Sequence, residues 1–212
     1  MAKDILNFLL SGVGGQGTIL ASDVLVNVGL ASGYQAKQAE VHGMSQRGGS
    51  VTSYVRWGRV VYSPLVGAGE ADVLLAFEKV EALRYLQFLH PGALVLVNME
   101  AIEPVTVTSG GQPYPGDDTL RGVLAQVTPH TAYVNGGAIA AELGNLKAAN
   151  VVLLGALSRV VESGNLMSAE RWSLPVATQD TWLKVITERV PPKYVELNRR
   201  AFLAGRESVS LG

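Results

Sequence analysis

Ile5-Leu-Asn-Phe-Leu-Leu-Ser-Gly-Val-Gly-Gly-Gln-Gly17, running straight into Thr18 to Leu30, is the stretch that decides the fold. Ile5 to Ser11 is a mostly apolar run that stops at a glycine cluster, the pattern of a strand buried on both faces of a parallel sheet. Leu20, Val24, Val28 and Ala31 then recur on one helical face, and Gly33 follows as a stop. Between them Gly12-Val-Gly-Gly-Gln-Gly17 fits G-x-G-x-x-G at a strand-to-helix junction, where backbone N–H groups and the helix dipole can hold a phosphate. Gly12, Gly14, Gly15, Gln16, Gly17 and Thr18 are therefore candidate binding residues. The same glycines also suit a chain that only turns tightly from its strand onto its helix.

Working outward, Tyr34 to Glu40 reads as a short strand, and Glu40 falls near the spacing of about 20 residues at which a dinucleotide fold places its ribose-binding acid. No crossover helix follows it, as a doubly wound fold requires. Ser50 to Trp57 alternates and is β-branched and aromatic, Gly58-Arg59 can turn, and Val60 to Ser63 runs back, which predicts a hairpin. Ala71 to Phe77, Val80 to Leu89 and Ala93 to Asn98 form a second strand, helix, strand unit. Ser109 to Asp118 reads as a loop, Thr131 to Val134 as a last strand, and Gly136 to Leu143 as the start of a helix. Helical periodicity covers Ala148 to Val161, Thr181 to Val190 and Tyr194 to Leu203, the last two on either side of Pro191-Pro192. The expectation is one α/β domain over residues 1–212: a Rossmann-like, mostly parallel sheet flanked by helices, with an antiparallel hairpin insertion and a helical tail over about 178–212.

A chain of 212 residues buries roughly 70% of its unfolded surface and needs no staples. Its 48% apolar and 17% charged content excludes disorder, and the charged share lies below the roughly 25% usual for soluble domains, which points to surface covered by a partner. Lys plus Arg number 17 against 18 Asp plus Glu, so there is no basic field for a nucleic acid or an anionic membrane. With no cysteine, the chain can supply no thiolate to an iron–sulfur cluster or a zinc site. The apolar stretch Val151 to Val161 is interrupted by Ser158 and Arg159 and is too short to span a bilayer, and Ile5 to Leu10 is too short for a secretory signal. A soluble, cytoplasmic protein is expected.

Glu40-Val-His-Gly-Met-Ser-Gln-Arg-Gly-Gly49 mixes an acid, an imidazole, an amide and a guanidinium among glycines, a mixture that neither a core strand nor a surface helix needs. Glycine permits close backbone approach, and Arg47 can clamp a carboxylate or phosphate through two parallel bonds. His42, Gln46, Arg47, Gly48 and Gly49 join the candidate set, with no catalytic role assigned to His42. Glu78, Asn98 and Asn135 fall at the carboxyl edge of the expected strands, where open sheets bind ligands, and each suits helix capping equally. Asn98 and Asn135 are kept as candidates. His90 and His130 fit no metal-ligand spacing.

The Gly12 to Gly17 loop followed by Glu40 to Ser50 resembles the gamma-type domain of the 2-oxoacid:ferredoxin oxidoreductases. The resemblance continues through Ser63-Pro-Leu65, Gly69 to Glu78, Leu96-Val-Asn98 and Asn150 to Leu157, and so spans nearly the whole chain. The His42-Gly-Met44 and Gln46-Arg-Gly-Gly49 version, with Pro192-Lys-Tyr194 and the Asn198 to Gly205 tail, is most similar to small subunits that serve aryl-2-oxoacids. The resemblance implies a subunit of an enzyme that decarboxylates a 2-oxoacid on thiamine diphosphate, passes electrons through iron–sulfur clusters to ferredoxin and forms an acyl-CoA. It also implies a larger, cysteine-containing, thiamine-binding partner that carries the thiamine diphosphate, its Mg and the clusters, with coenzyme A as co-substrate on this domain's side. Gly116-Asp-Asp118 is only a fragment of a thiamine-type G-D-G motif. A stand-alone NAD(P)-dependent Rossmann oxidoreductase and a non-catalytic assembly subunit remain open as alternatives, and binding of a dinucleotide by the single chain separates them.

Overall fold

The computed structural model describes residues 5–42, 49–103, 113–162 and 177–209, and only the main chain of His42. Its elements run β1 (Ile5–Val13), α1 (Thr18–Ala31), β2 (Gln35–His42), β3 (Ser50–Gly58), β4 (Ala71–Ala76), α2 (Lys79–Arg84) and β5 (Leu89–Asn98). They continue with α3 (Asp117–Val127), β6 (Thr131–Val134), α4 (Gly136–Glu142), α5 (Ala149–Glu162), α6 (Gln179–Arg189) and α7 (Val195–Glu207). One sheet of six strands has the order β2-β3-β1-β4-β5-β6. The pairs β1/β4, β4/β5 and β5/β6 are parallel, while β3 runs antiparallel to both its neighbours, β1 and β2.

The period of two sorts β1 between two cores. Leu6, Phe8 and Leu10 face one side of the sheet and pack with Val24, Leu25 and Val28 of α1, the buried face of α5, and Trp182 and Phe202 of α6 and α7. Leu9 points the other way, into a smaller core with Leu74, Val95 and Val97, closed by Ala82 of α2 and by Leu120 and Leu124 of α3. Being covered on both faces is why the central strands read as continuous apolar runs. Trp57 of β3 ties the larger core together: its ring meets Phe8 at 4.7 Å and Trp182 at 6.2 Å, and its indole N–H donates to the Leu25 carbonyl at 3.0 Å.

Three expectations are corrected. The helix expected over Val80 to Leu89 stops at Arg84, and after one tight turn at Leu86–Phe88 the residues from Leu89 already belong to β5. The return strand at Val60 to Ser63 does not form. Both edges of β3 are already occupied, by β1 on one side and by Gln35–His42 on the other, so no ladder position is left for it. The 59–65 segment is instead held by side chains, with Val61 N–H donating to Gln35 Oε1 at 2.9 Å and Arg56 to the Leu65 carbonyl at 2.9 Å. The loop expected over Ser109 to Asp118 ends early, because Asp117 and Asp118 form the acidic first turn of α3, whose Leu120 and Leu124 are buried on one face. The antiparallel piece is real, but its hairpin is β2 with β3. The helical C-terminal part is observed as α6 and α7.

Candidate functional site

The carboxyl ends of β1, β4 and β5 open on one edge of the sheet, and the glycine loop lies there. Gly17 stands before α1 in the left-handed region at φ 81°, and no side chain caps the helix. The first helical bond runs from Ala21 N–H to the Gly17 carbonyl at 3.0 Å. The amides of Thr18, Ile19 and Leu20 precede it and have no acceptor among the described residues. The first turn of α1 contains no acidic residue, so no side chain of that turn opposes its partial positive charge.

The glycines divide by role. A Cβ on Gly12 would meet Thr18 Cγ2 at 2.8 Å and Phe77 Cβ at 2.9 Å, so packing requires glycine there, while one on Gly17 would meet Asn150 Nδ2 at 2.4 Å on top of the left-handed backbone angle. Gly15, at φ 108°, faces open space and needs only the backbone freedom. Asn150, the second residue of α5, is 5% exposed, and its Oδ1 has no hydrogen-bond partner among the described residues. It lies directly beside the start of α1. In the sequence it only heads the Asn150 to Leu157 block, and nothing local marks it as a site residue.

Two predicted residues turn out to staple the strand ends. Gln16 Oε1 accepts from Val13 N–H at 2.8 Å, while its Nε2 donates to the Phe77 carbonyl at 2.8 Å and to Glu100 at 3.2 Å. Asn98, 1% exposed, donates to the same Phe77 carbonyl at 3.0 Å and to Glu100 at 3.1 Å, and accepts from Gly136 N–H at 2.9 Å. Both hydrogens of each carboxamide are thus engaged by the protein. Thr18 is buried under the loop, and Asn135 is exposed at the end of β6, its side chain making no cap bond to α4. Gly14 N–H donates to the Gly49 carbonyl at 2.9 Å, so the end of the 42–49 segment meets the glycine loop directly. Gln46, Arg47 and Gly48, and the His42 side chain, lie outside the described residues.

Glu78 proves to be a cap. Its carboxylate accepts from Val80 and Glu81 N–H at the start of α2, from Ile102 N–H, and from the Tyr114 hydroxyl. Burial first, and then the hydrogen bond to Glu78, hold the Tyr114 phenol protonated, well above its ordinary range. Glu40, the would-be ribose acid, sits on β2 with the whole of β3 between it and β1, two strand spacings or about 10 Å away. That arrangement removes the acid a dinucleotide site needs next to its glycine loop.

The cofactors implied by the resemblance do not fit residues of this chain. There is no cysteine for a cluster, and no group of three or more metal-binding side chains occurs among the described residues. Asp117, in the fragment of a thiamine motif, accepts from Lys79 at 2.7 Å as it starts α3. No helix among the described residues is long and apolar enough to cross a membrane.

The family model described as pyruvate ferredoxin/flavodoxin oxidoreductase matches residues 7–208. Indolepyruvate oxidoreductase subunit IorB of Thermococcus kodakarensis is 41% identical over 200 residues, covering 94% of this chain and 93% of that one. Among solved structures, the gamma subunit of a keto/oxoacid ferredoxin oxidoreductase from Geobacter sulfurreducens is 26% identical with a TM-score of 0.65, over 96% of this chain and 97% of that one. Pyruvate oxidoreductase subunit PORC from Thermotoga maritima has the same fold, with a TM-score of 0.70 at 19% identity over 98% of each chain. The chain belongs to the pyruvate ferredoxin/flavodoxin oxidoreductase family and groups within it with the small subunits of indolepyruvate oxidoreductase.

Proposed function

We propose that this subunit holds the coenzyme A side of an indolepyruvate:ferredoxin oxidoreductase, with its glycine loop and the start of α1 receiving a phosphate group of coenzyme A. The reaction takes an arylpyruvate and coenzyme A to an acyl-CoA and carbon dioxide, and the electron pair released passes to ferredoxin. Thiamine diphosphate with its Mg and the iron–sulfur clusters belong, on this reading, to a larger cysteine-containing subunit. This chain binds and orients, and supplies no redox group.

The observation that carries the proposal is the uncapped, acid-free start of α1. Its first amides, without an acceptor among the described residues, share the sheet's carboxyl edge with the open side of Gly15, and the Asn150 side chain is buried beside them. Glu100 is the exposed carboxylate at that edge, so an anion bound there needs a cation nearby, and Arg47 in the adjoining segment has the chemistry to provide one.

Gly15→Val tests the loop. The substitution places a branched side chain in the open mouth at a backbone angle that valine adopts poorly. The assembled complex is expected to show a Michaelis constant for coenzyme A raised about 10-fold, as loss of one charge-assisted hydrogen bond would give. Unchanged coenzyme A kinetics in a normally assembled complex would leave the loop with a packing role only. A second expectation separates the subunit from a stand-alone enzyme. Purified alone, the chain should contain no stoichiometric iron, bind no dinucleotide and turn over no substrate, and co-expression with the large subunit should yield a brown, active complex. Iron in the lone chain, or tight binding of NAD(P), would overturn the assignment.

A further inference from the structure

We propose that Glu81 is a positioning residue for the coenzyme A side of the site, acting through Ser50 and Gly49 on the glycine loop; this rests on the reading of that loop given above. Glu81 lies on α2 and is 4% exposed, and packing alone would favour an apolar side chain there. Its carboxylate faces a specific set of partners. Oε2 accepts from the Ser50 hydroxyl at 2.5 Å, and Oε1 accepts from Arg84 Nε at 3.0 Å. The Tyr85 hydroxyl lies 2.9 Å from Ser50 Oγ. Ser50 has one hydroxyl hydrogen and gives it to Glu81, so Tyr85 is the donor in that contact. The Glu81 carbonyl also accepts from the hydroxyl of Ser11, a fully buried residue of β1, at 3.2 Å.

The bonds form a continuous line from helix to loop. Glu81 fixes Ser50, the first residue of β3, which pairs with Val13 at the end of β1. The preceding residue, Gly49, accepts the Gly14 N–H at 2.9 Å. Gly14 leads directly into Gly15, the glycine that faces open space. A buried carboxylate is costly unless its partners are good, and here it fixes the end of β1 and the start of β3 where they meet the glycine loop. An apolar residue at position 81 would fill the same space and leave the Ser50 hydroxyl without its acceptor.

Replacing Glu81 by Ala opens a cavity and can fail for reasons of stability, so the test uses Ser50→Ala, with Ser50→Thr as the conservative rescue. Both are made in the complete chain and measured in the assembled enzyme. The expected result for Ser50→Ala is about 10-fold faster deuterium exchange in the peptide containing Gly14, together with a Michaelis constant for coenzyme A raised about 3- to 10-fold. The constant for the 2-oxoacid and the turnover at saturating coenzyme A should change much less, and Ser50→Thr should restore both readouts. Unchanged exchange in Ser50→Ala overturns the positioning role. Faster exchange with unaltered coenzyme A kinetics keeps the tether but overturns the loop reading on which the proposal rests. A general loss affecting both substrates, not rescued by Thr, also overturns it.

Discussion

Gly155→Val is expected to destabilise the chain by about 3 to 5 kcal/mol, in the range where a single substitution removes much of a domain's stability. Helices α5 and α7 cross with glycines at the contact on both sides. A Cβ on Gly155 would lie 2.0 Å from the Phe202 carbonyl oxygen, and one on Gly205 would lie 1.9 Å from that of Val152. These obstacles are backbone, which no rotamer change can move aside. Relief requires the helices to separate, and separation strips contact from Leu153, Leu154, Leu157 and Phe202, all fully buried. Gly155→Ala meets the same carbonyl, but gains about 1 kcal/mol of helix propensity, so its net cost should be smaller. Once one alanine has pushed the helices apart, the second adds little. The double variant Gly155→Ala/Gly205→Ala should therefore cost clearly less than the two single costs together. Denaturant midpoints at constant slope give the measurement. A Gly155→Val chain within about 0.5 kcal/mol of the parent would mean that the crossing is looser than these distances state.

That crossing also shows what can be read from a single sequence. The β1, loop, α1 unit is local: a buried run, a glycine cluster and a 3.6-residue period lie side by side, and the observed elements extend the expected ones by only two residues at the strand end and one at the helix end. The buried runs of β4 and β5 are legible for the same reason. The partner of β3 is not, because β-pairing is not written in local sequence, and Gly58-Arg59 offered a nearby turn where the chain in fact pairs β3 with the preceding β2. Gly155 within an apolar helix looks like an ordinary small residue until α7 is placed on it. The edge of the sheet was found from motif and spacing, including Gln16 and Asn98, yet their work is visible only when Phe77, Glu100 and Gly136 are brought to them. Glu81 gave no signal, and Asn150 and Ser50 entered only as ends of family-like stretches, since each matters through a partner on another element.

Arg47→Ala is expected to lower the catalytic efficiency of the assembled enzyme about 10- to 100-fold, the loss of hydrogen bonds to a charged group in a partly desolvated site. Arg47 lies outside the described residues. Its segment ends at Gly49, whose carbonyl accepts the Gly14 N–H, and this anchors the segment to the glycine loop at the uncapped start of α1. The exposed carboxylate of Glu100 at the same edge disfavours an anion there, which a guanidinium brought to that edge would offset. Arg47→Lys is the sharper variant. It keeps the charge but cannot form the two parallel bonds by which a guanidinium grips a carboxylate or phosphate, so most of the loss should remain. A solvated surface arginine would cost under about 1 kcal/mol in either variant. Association with the large subunit has to be measured first, because an arginine at the interface would fail by losing the partner, with the efficiency of the remaining complex unchanged. If both variants assemble normally and keep full efficiency toward 2-oxoacid and coenzyme A, the segment holds no ligand, and the glycine loop must bind its phosphate with backbone amides alone.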